Sequence, residues 1–253
     1  MPTIPLTVYR DHFTGDGPLD TAVSRAVLAG VTAGDLGEVL EVGTPHRVLA
    51  FGKHDTLTEG YPDAVAIARN HGYDPTVRIA GGRAVVFSPT IVRFAWTIPA
   101  PDAAATMHAR FRRLADAVVQ TLAAVGVDAT VGEIPGEYCA GQYSVHVLGS
   151  RKVMGVGQRL TRAAAQVGGM IVVSDPDDIN AVLVPVYEAL GVSMDPDATG
   201  SIADVADVSA ADVMDAFIDQ IAAERPVTTT RPTEHTMSLA RDFRSDHVPL
   251  RLA

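Results

Sequence analysis

The chain of 253 residues has one cysteine, one tryptophan and no long apolar run. A single thiol rules out an internal disulfide framework, so packing must hold the fold, and a reducing compartment suits it. The longest apolar stretches, such as Ala84-Val85-Val86-Phe87 and Ala181-Val182-Leu183-Val184, fall far short of the roughly 20 residues that span a bilayer. The start, Met1-Pro2-Thr3-Ile4-Pro5, lacks the basic and apolar regions of a secretory leader, so a cytoplasmic location is expected. Positive charge is short overall. A net charge of -10 argues against nucleic acid or an anionic membrane as the main partner. Neither a metal site nor a permanently bound cofactor is expected.

With 47% hydrophobic and 20% charged residues, the chain can bury a real core. The scarce basic residues are concentrated. Ten of the 20 lie between Arg78 and Arg162, against five acidic residues there, which fits a site for an anionic small molecule or carrier cofactor. Arg110, Arg112 and Arg113 read as the solvated face of one helix.

Residues 4–10 read as a strand that Pro5 confines to an edge or a strand start. Asp16-Gly17-Pro18 opens a helix carrying Leu19, Ala22, Val23, Ala26 and Val27 on one stripe. Strands follow at 38–42 and 47–51, then a helix at 64–70 that stops at His71-Gly72. Strand-like runs at 76–80, 84–87 and 91–98 precede a helix over 102–124. Residues 143–148 and 152–156 form a hairpin around Gly149-Ser150, and 167–174 is another strand. Asp175-Pro176 caps a helix over 177–190, and Ser209 with Asp212 caps a last one over 209–223. Paired strands with singly inserted helices imply an α+β fold around a mixed or antiparallel central sheet. Residues 1–225 form the catalytic unit in this reading, and 226–253 an irregular C-terminal tail.

Three stretches carry chemistry. In Arg78-Ile-Ala-Gly81-Gly82-Arg83-Ala84-Val85, a glycine pair between strands lets backbone N–H groups approach an anionic or carbonyl oxygen, and the arginines add fork-shaped donors. A plain tight turn shows the same pattern. In Gly149-Ser-Arg-Lys152-Val-Met-Gly155-Val-Gly157-Gln158-Arg159, alternating glycines leave one strand face bare for an elongated ligand, with Lys152 at its reactive end. Cys139 lies in a turn-rich loop before that strand. A lone cysteine is often an inert small hydrophobe; a neighbouring lysine is what would activate it.

Together these stretches resemble the lipoate–protein ligase A and octanoyltransferase superfamily, whose catalytic domain is related to biotin protein ligases. Arg78 to Val85 matches its Arg-x-x-Gly-Gly-(Gly or Arg)-Ala-Val. Gly149 to Gln158 matches its Gly-(Arg/Lys)-Lys-(Ile/Val)-x-Gly-x-(Ala/Gly)-Gln with Ser150 inserted. Weaker echoes are the early helix at 19–28, the corner Phe51-Gly52-Lys53-His54-Asp55 and Gly200-Ser201-Ile202. The resemblance implies an acyl tunnel beside the Gly81-Gly82 loop. It also implies a lysine, here Lys152, against the activated acyl group, and an amide product on a lysine of a lipoyl domain. Such domains occur in 2-oxoacid dehydrogenases and the glycine cleavage carrier protein. Acyl or adenylate contacts are implied for Arg78, Gly81, Gly82, Arg83, Ala84, Gly155, Gly157 and Gln158.

Two mechanisms use such a scaffold. A transferase passes octanoate from octanoyl-acyl carrier protein through a cysteine thioester; a ligase uses lipoate with Mg-ATP and an acyl-AMP. Arg83 at the third loop position, Cys139 thirteen residues before Lys152, and no accessory C-terminal domain lean toward the transferase. Val86-Phe87-Ser88-Pro89 departs from the family pattern and leaves substrate details open. Arg162-Ala163-Ala164-Ala165-Gln166 has no thiol, which excludes the transferase branch with cysteine after the lysine strand. The biotin ligase loop is absent. A third reading is an acyl-binding subunit that needs a partner chain.

Overall fold

In the structure, a computed structural model that describes residues 5–249, β1 (Leu6–Arg10) leads into α1 (Gly17–Ala33). Asp16 caps this helix by accepting from the Leu19 amide, and Gly34 ends it in a left-handed conformation. β2 (Val39–Gly43), β3 (Val48–Phe51), α2 (Tyr61–Asn70), β4 (Asp74–Val77), β5 (Val85–Phe87) and β6 (Ile91–Pro99) follow. Then come α3 (Met107–Ala124), β7 (Thr130–Val131), β8 (Val145–Val147), β9 (Arg151–Leu160) and β10 (Ala164–Val172). α4 (Pro176–Ala189), α5 (Ala210–Ala222), β11 (Val227–Thr230) and α6 (Glu234–Phe243) complete the order.

Eight strands form one sheet in the order β11-β1-β2-β6-β10-β9-β8-β7, and β4-β3-β5 form a second. β1 pairs parallel to both neighbours, and the rest of the large sheet is antiparallel. The fold is therefore α+β with mixed sheets. One face of the large sheet packs its main core, with Val42, Phe94, Trp96, Val167 and Ile171, on α3 and α5. The small sheet packs on α2 and α4 around Leu49, Phe51, Val186 and Tyr187.

The register explains the other face. Gly43, Arg93, Met170 and Gly155 lie side by side, as do Glu41, Ala95, Gly168 and Gly157 one step along. Strand alternation puts both rows on the same side of the sheet. Small residues thus open a trough there, and α1 lies across it. No described helix is long and apolar enough to cross a membrane.

Several expectations change. Residues 226–249 are not an irregular tail: β11 pairs with β1, and α6 packs Ala240 on Ala22, Val23 and Ala26 of α1. Val227–Thr230 is exposed throughout, so it has no alternation to betray a strand. β1 is accordingly not an edge, and Pro5 precedes it. Helix α3 begins at Met107, after turns over 101–106. Asp175 makes no side-chain cap and sits at φ 56°. Arg110 is buried, bonded to Gln158, Thr106 and the Ala103 carbonyl, so it is no solvated residue.

The C-terminal segment also braces α1 at its start, because Arg244 donates to the capping Asp16 carboxylate at 2.6 Å and 2.9 Å. Ala240→Asp is expected to place an unpaired carboxylate against Ala22 and Ala26. A cost of about 3 kcal/mol or more should appear in calorimetry as a fall of several degrees in Tm. An unchanged Tm would show that α6 does not pack there.

Candidate active site

The site assembles where β4 ends. The Arg78 amide still bonds the Phe51 carbonyl at 2.9 Å, after which residues 79–83 leave the sheet as a loop. The loop lies against Gly52: a Cβ there would sit 1.8 Å from the Gly82 carbonyl oxygen. Gly82 itself has φ +100°, and a Cβ on it would meet Arg78 Nη2 at 2.2 Å and Cys139 Sγ at 2.7 Å. Both positions therefore require glycine. Buried Asp55 ties the corner, accepting from the Gly52 amide at 2.8 Å and from Arg83 Nη1 at 3.2 Å.

Cys139 meets this loop. Its Sγ accepts from Arg78 Nη2 and from the Arg83 amide, each at 3.3 Å. Its backbone is left-handed at φ +44°, a conformation costly outside glycine and held only by its surroundings. Tyr187 supplies one hold: its hydroxyl accepts from the Cys139 amide at 2.8 Å and donates to the Ala84 carbonyl at 3.1 Å.

Lys152 supplies the other. Its side chain is fully buried, and Nζ donates to the Tyr138 carbonyl at 2.8 Å and the Cys139 carbonyl at 3.0 Å. Glu137 Oε1 lies 3.4 Å from Nζ and also accepts from the Gly141 amide and the Ser144 hydroxyl. Two of the ammonium's three donors meet these carbonyls, and the Glu137 carboxylate stands beside it. Lys152 thus bolts the cysteine loop to β9. Behind it, the Gly200 amide bonds the Lys152 carbonyl at 2.9 Å, which gives the Gly200-Ser201-Ile202 echo a structural role.

The electrostatics follow from this geometry. Burial pushes the Cys139 thiol up, but Arg78, Lys152 and the Arg83 amide outweigh it, and the thiol lies below its ordinary value. Burial pushes the Lys152 ammonium down, against the pull of Glu137 and Cys139. The site holds a cysteine whose thiolate its neighbours stabilise, as an acyl-accepting nucleophile needs.

A largely apolar slot runs from Arg78, Ile79 and Ala80 under α1, with Val48, Phe87, Ala95 and Gly168 in its walls. On the other side of Arg78 and Ile79 a basic cavity is lined by Arg25, Lys53, Arg159 and His247. The expected residues divide accordingly. Arg78, Gly82, Arg83, Cys139 and Lys152 come together, with Gly81 and Ala84 in the same loop. Gly155 and Gly157 lie on the trough side, but not as a bare wall. A Cβ on Gly155 would meet Lys152 Cε at 3.2 Å, and one on Gly157 would meet Ala80 Cβ and the Gly81 carbonyl oxygen at 3.3 Å. These glycines make room for the lysine and the loop. Gln158 is not in the site. One step out of phase with Gly157, it points to α3, where it accepts from Arg110 Nε and donates to the Met107 carbonyl. Sequence reasoning also missed Glu137 and Tyr187; the only sequence signal for Glu137 was its place two residues before Cys139.

The chain matches the lipoyl protein ligase A/B catalytic domain over residues 17–222, and it belongs to that family. It is 26% identical to an octanoyl-[GcvH]:protein N-octanoyltransferase of Geobacillus kaustophilus over 187 residues, 72% of this chain and 65% of the relative. A second enzyme of that name, from Kyrpidia tusciae, is 28% identical over 62% of this chain and 47% of its own length. The alignments thus span less than two thirds of each relative. A lipoate-protein ligase A bound with ATP superposes with TM-score 0.77 at 20% identity, covering 97% of this chain and 95% of its own. A bi-partite lipoate protein ligase from Thermoplasma acidophilum gives 0.74 at 20% identity, covering 97% and 93%. These structures share the fold.

Two outcomes test the site. Alkylation of Cys139 should follow a pH profile whose midpoint lies below that of an ordinary thiol, because the thiolate persists to lower pH. Arg78→Met should move that midpoint upward, and an unmoved midpoint would remove Arg78 from the activation. Lys152→Met should leave Glu137 buried without its partner and cost about 3–5 kcal/mol, measured by urea unfolding. Adding Glu137→Gln should recover part of that stability without recovering activity.

Proposed function

We propose that the protein attaches an octanoyl or lipoyl group to a lysine of a lipoyl carrier domain through a thioester on Cys139. The observation that carries this reading is the thiol held between the Arg78 guanidinium and the Arg83 amide, beside an apolar slot. The slot takes the acyl chain, and its carbonyl carbon meets Sγ. The thiolate adds to that carbon while backbone amides around Gly81-Gly82 face the developing oxyanion. The bond to the donor breaks, the leaving amine or thiol takes up a proton, and the acyl group stays on Sγ. A lysine amine of the recipient then adds to the thioester, loses its proton and expels the thiolate. Lys152 acts as a positioning residue, since its ammonium is committed to the loop that carries Cys139.

The similar transferases point to an octanoyl-[GcvH] donor, in which the broken bond is an amide. Octanoyl-acyl carrier protein, in which it is a thioester, is the other donor expected from the sequence. Recipients are lipoyl domains of 2-oxoacid dehydrogenases or the glycine cleavage carrier protein.

The test is intact-mass analysis of an apo lipoyl domain incubated with the protein. One tube holds octanoyl-[GcvH], a second octanoyl-acyl carrier protein, both without ATP; a third holds lipoate with Mg-ATP. Modification is expected without ATP and should vanish in Cys139→Ala. Modification only in the third tube, surviving Cys139→Ala, would establish the ATP-dependent ligase instead. Tight acyl binding with no product in any tube would establish an acyl-binding subunit that needs a partner chain.

A further inference from the structure

The acyl slot crosses the large sheet, so strand register gives its length. The Ala80 Cβ and the Gly81 carbonyl oxygen stand 3.3 Å from where a Cβ on Gly157 would be, which starts the slot over β9. From Gly157 the row runs through Gly168 of β10 and Ala95 of β6 to Glu41 of β2. Gly168 and Ala95 line the slot. Three strand spacings make that row about 14 Å long.

At β2 the small residues stop and the slot closes. Buried Glu41 accepts from the Ser24 hydroxyl at 2.9 Å, with His12 Nε2 3.1 Å away, so α1 touches the floor at this strand. From the rows on either side, Gln166 donates to the Ser24 carbonyl at 3.0 Å and Arg93 donates to its hydroxyl at 2.7 Å. Next to Glu41, the chain leaving β1 folds back and lays Phe13 on Gly43. A Cβ on that glycine would lie 2.9 Å from Phe13 Cε2. Phe13 lines the slot and is partly exposed, so solvent lies beyond it.

We infer that Phe13, backed by the Glu41–Ser24 contact, is the end wall of the acyl slot and limits the chain to about eight carbons. An extended chain advances about 1.2 Å per bond, so the seven bonds of an octanoyl chain span about 8 Å. Adding about 4 Å for carbon–carbon contact with the wall gives about 12 Å, which the row accommodates. Twelve carbons would need about 17 Å, which it does not. The methyl end meets a phenyl ring, because the carboxylate behind the wall is already bonded to Ser24. A lipoyl group has the same carbon count, so the wall admits both cargoes. The inference rests on the acyl slot of the proposed function and names the residue that sets its length preference.

Calorimetric binding of straight-chain acyl N-methylamides of six, eight, ten and twelve carbons to the full chain tests the wall without catalysis. In the wild type, affinity should rise about fourfold per added methylene up to eight carbons, then level off or fall. Phe13→Ala should move that break to ten or twelve carbons and tighten the twelve-carbon chain about tenfold or more. Ala95→Leu, with its side chain on the floor ahead of the wall, should move the break down to six. Wild-type affinity that keeps climbing through twelve carbons would overturn the proposal without any variant. A break that stays at eight carbons in folded Phe13→Ala would overturn it too. Absence of acyl transfer with the break intact would sink the proposed reaction and leave the wall standing, whereas transfer with no break at any length would sink the wall alone.

Discussion

The site depends on one buried ammonium. Lys152 sits in a low-dielectric interior where an unpaired charge is prohibitively costly, and its neutralisation by Glu137 fixes where the loop between β7 and β8 must lie. Two carbonyls of that loop complete the coordination, and the second belongs to Cys139. The strained backbone of Cys139, its approach to Arg78 and its contact with the Arg83 amide follow from that anchorage. A charge that looks catalytic in sequence also holds the cysteine loop in place.

The glycines express the same economy of space. Gly82 and Gly52 do not supply flexibility; each marks a spot where backbone or a long side chain passes too close for a Cβ, and at Gly155 a Cβ would fit only tightly beside Lys152. The consequence is a rigid meeting of three segments distant in sequence, the 78–83 loop, the 137–139 loop and β9. Rigid support of this kind lets a thiolate be favoured despite burial, because the donors around it need not reorganise when charge appears.

Much of this was legible in the sequence. The Arg78–Val85 and Gly149–Gln158 stretches marked the loop and the lysine strand, and their glycines marked close approaches. Alternation could have shown Gln158 to lie on the opposite face from Gly157, but a motif is read as a string and not as two faces. Glu137 was hidden because a lone acid in a turn-rich loop carries no pattern. Its burial is decided by β9, which follows it. The polar lining of the slot was illegible for a related reason. Asp20 and Ser24 look like ordinary polar positions of an amphipathic helix until Arg93 of β6 arrives opposite them and donates to the Ser24 hydroxyl. The strand at 227–230 escaped because both its faces meet solvent, so no periodicity could report it.

That strand bears on how the molecule is made. β1, at Leu6–Arg10, finds its outer neighbour only at Val227–Thr230, and α1 is covered by a helix later still in the chain. Contacts so far apart in sequence carry a heavy loop-closure cost and form late. During translation the first strand keeps one open edge, and the outer flank of the helix roofing the slot stays bare. The thiol loop and its lysine, both encoded by residue 152, can dock before that roof is secured, so the reactive centre is laid down ahead of the compartment that encloses it.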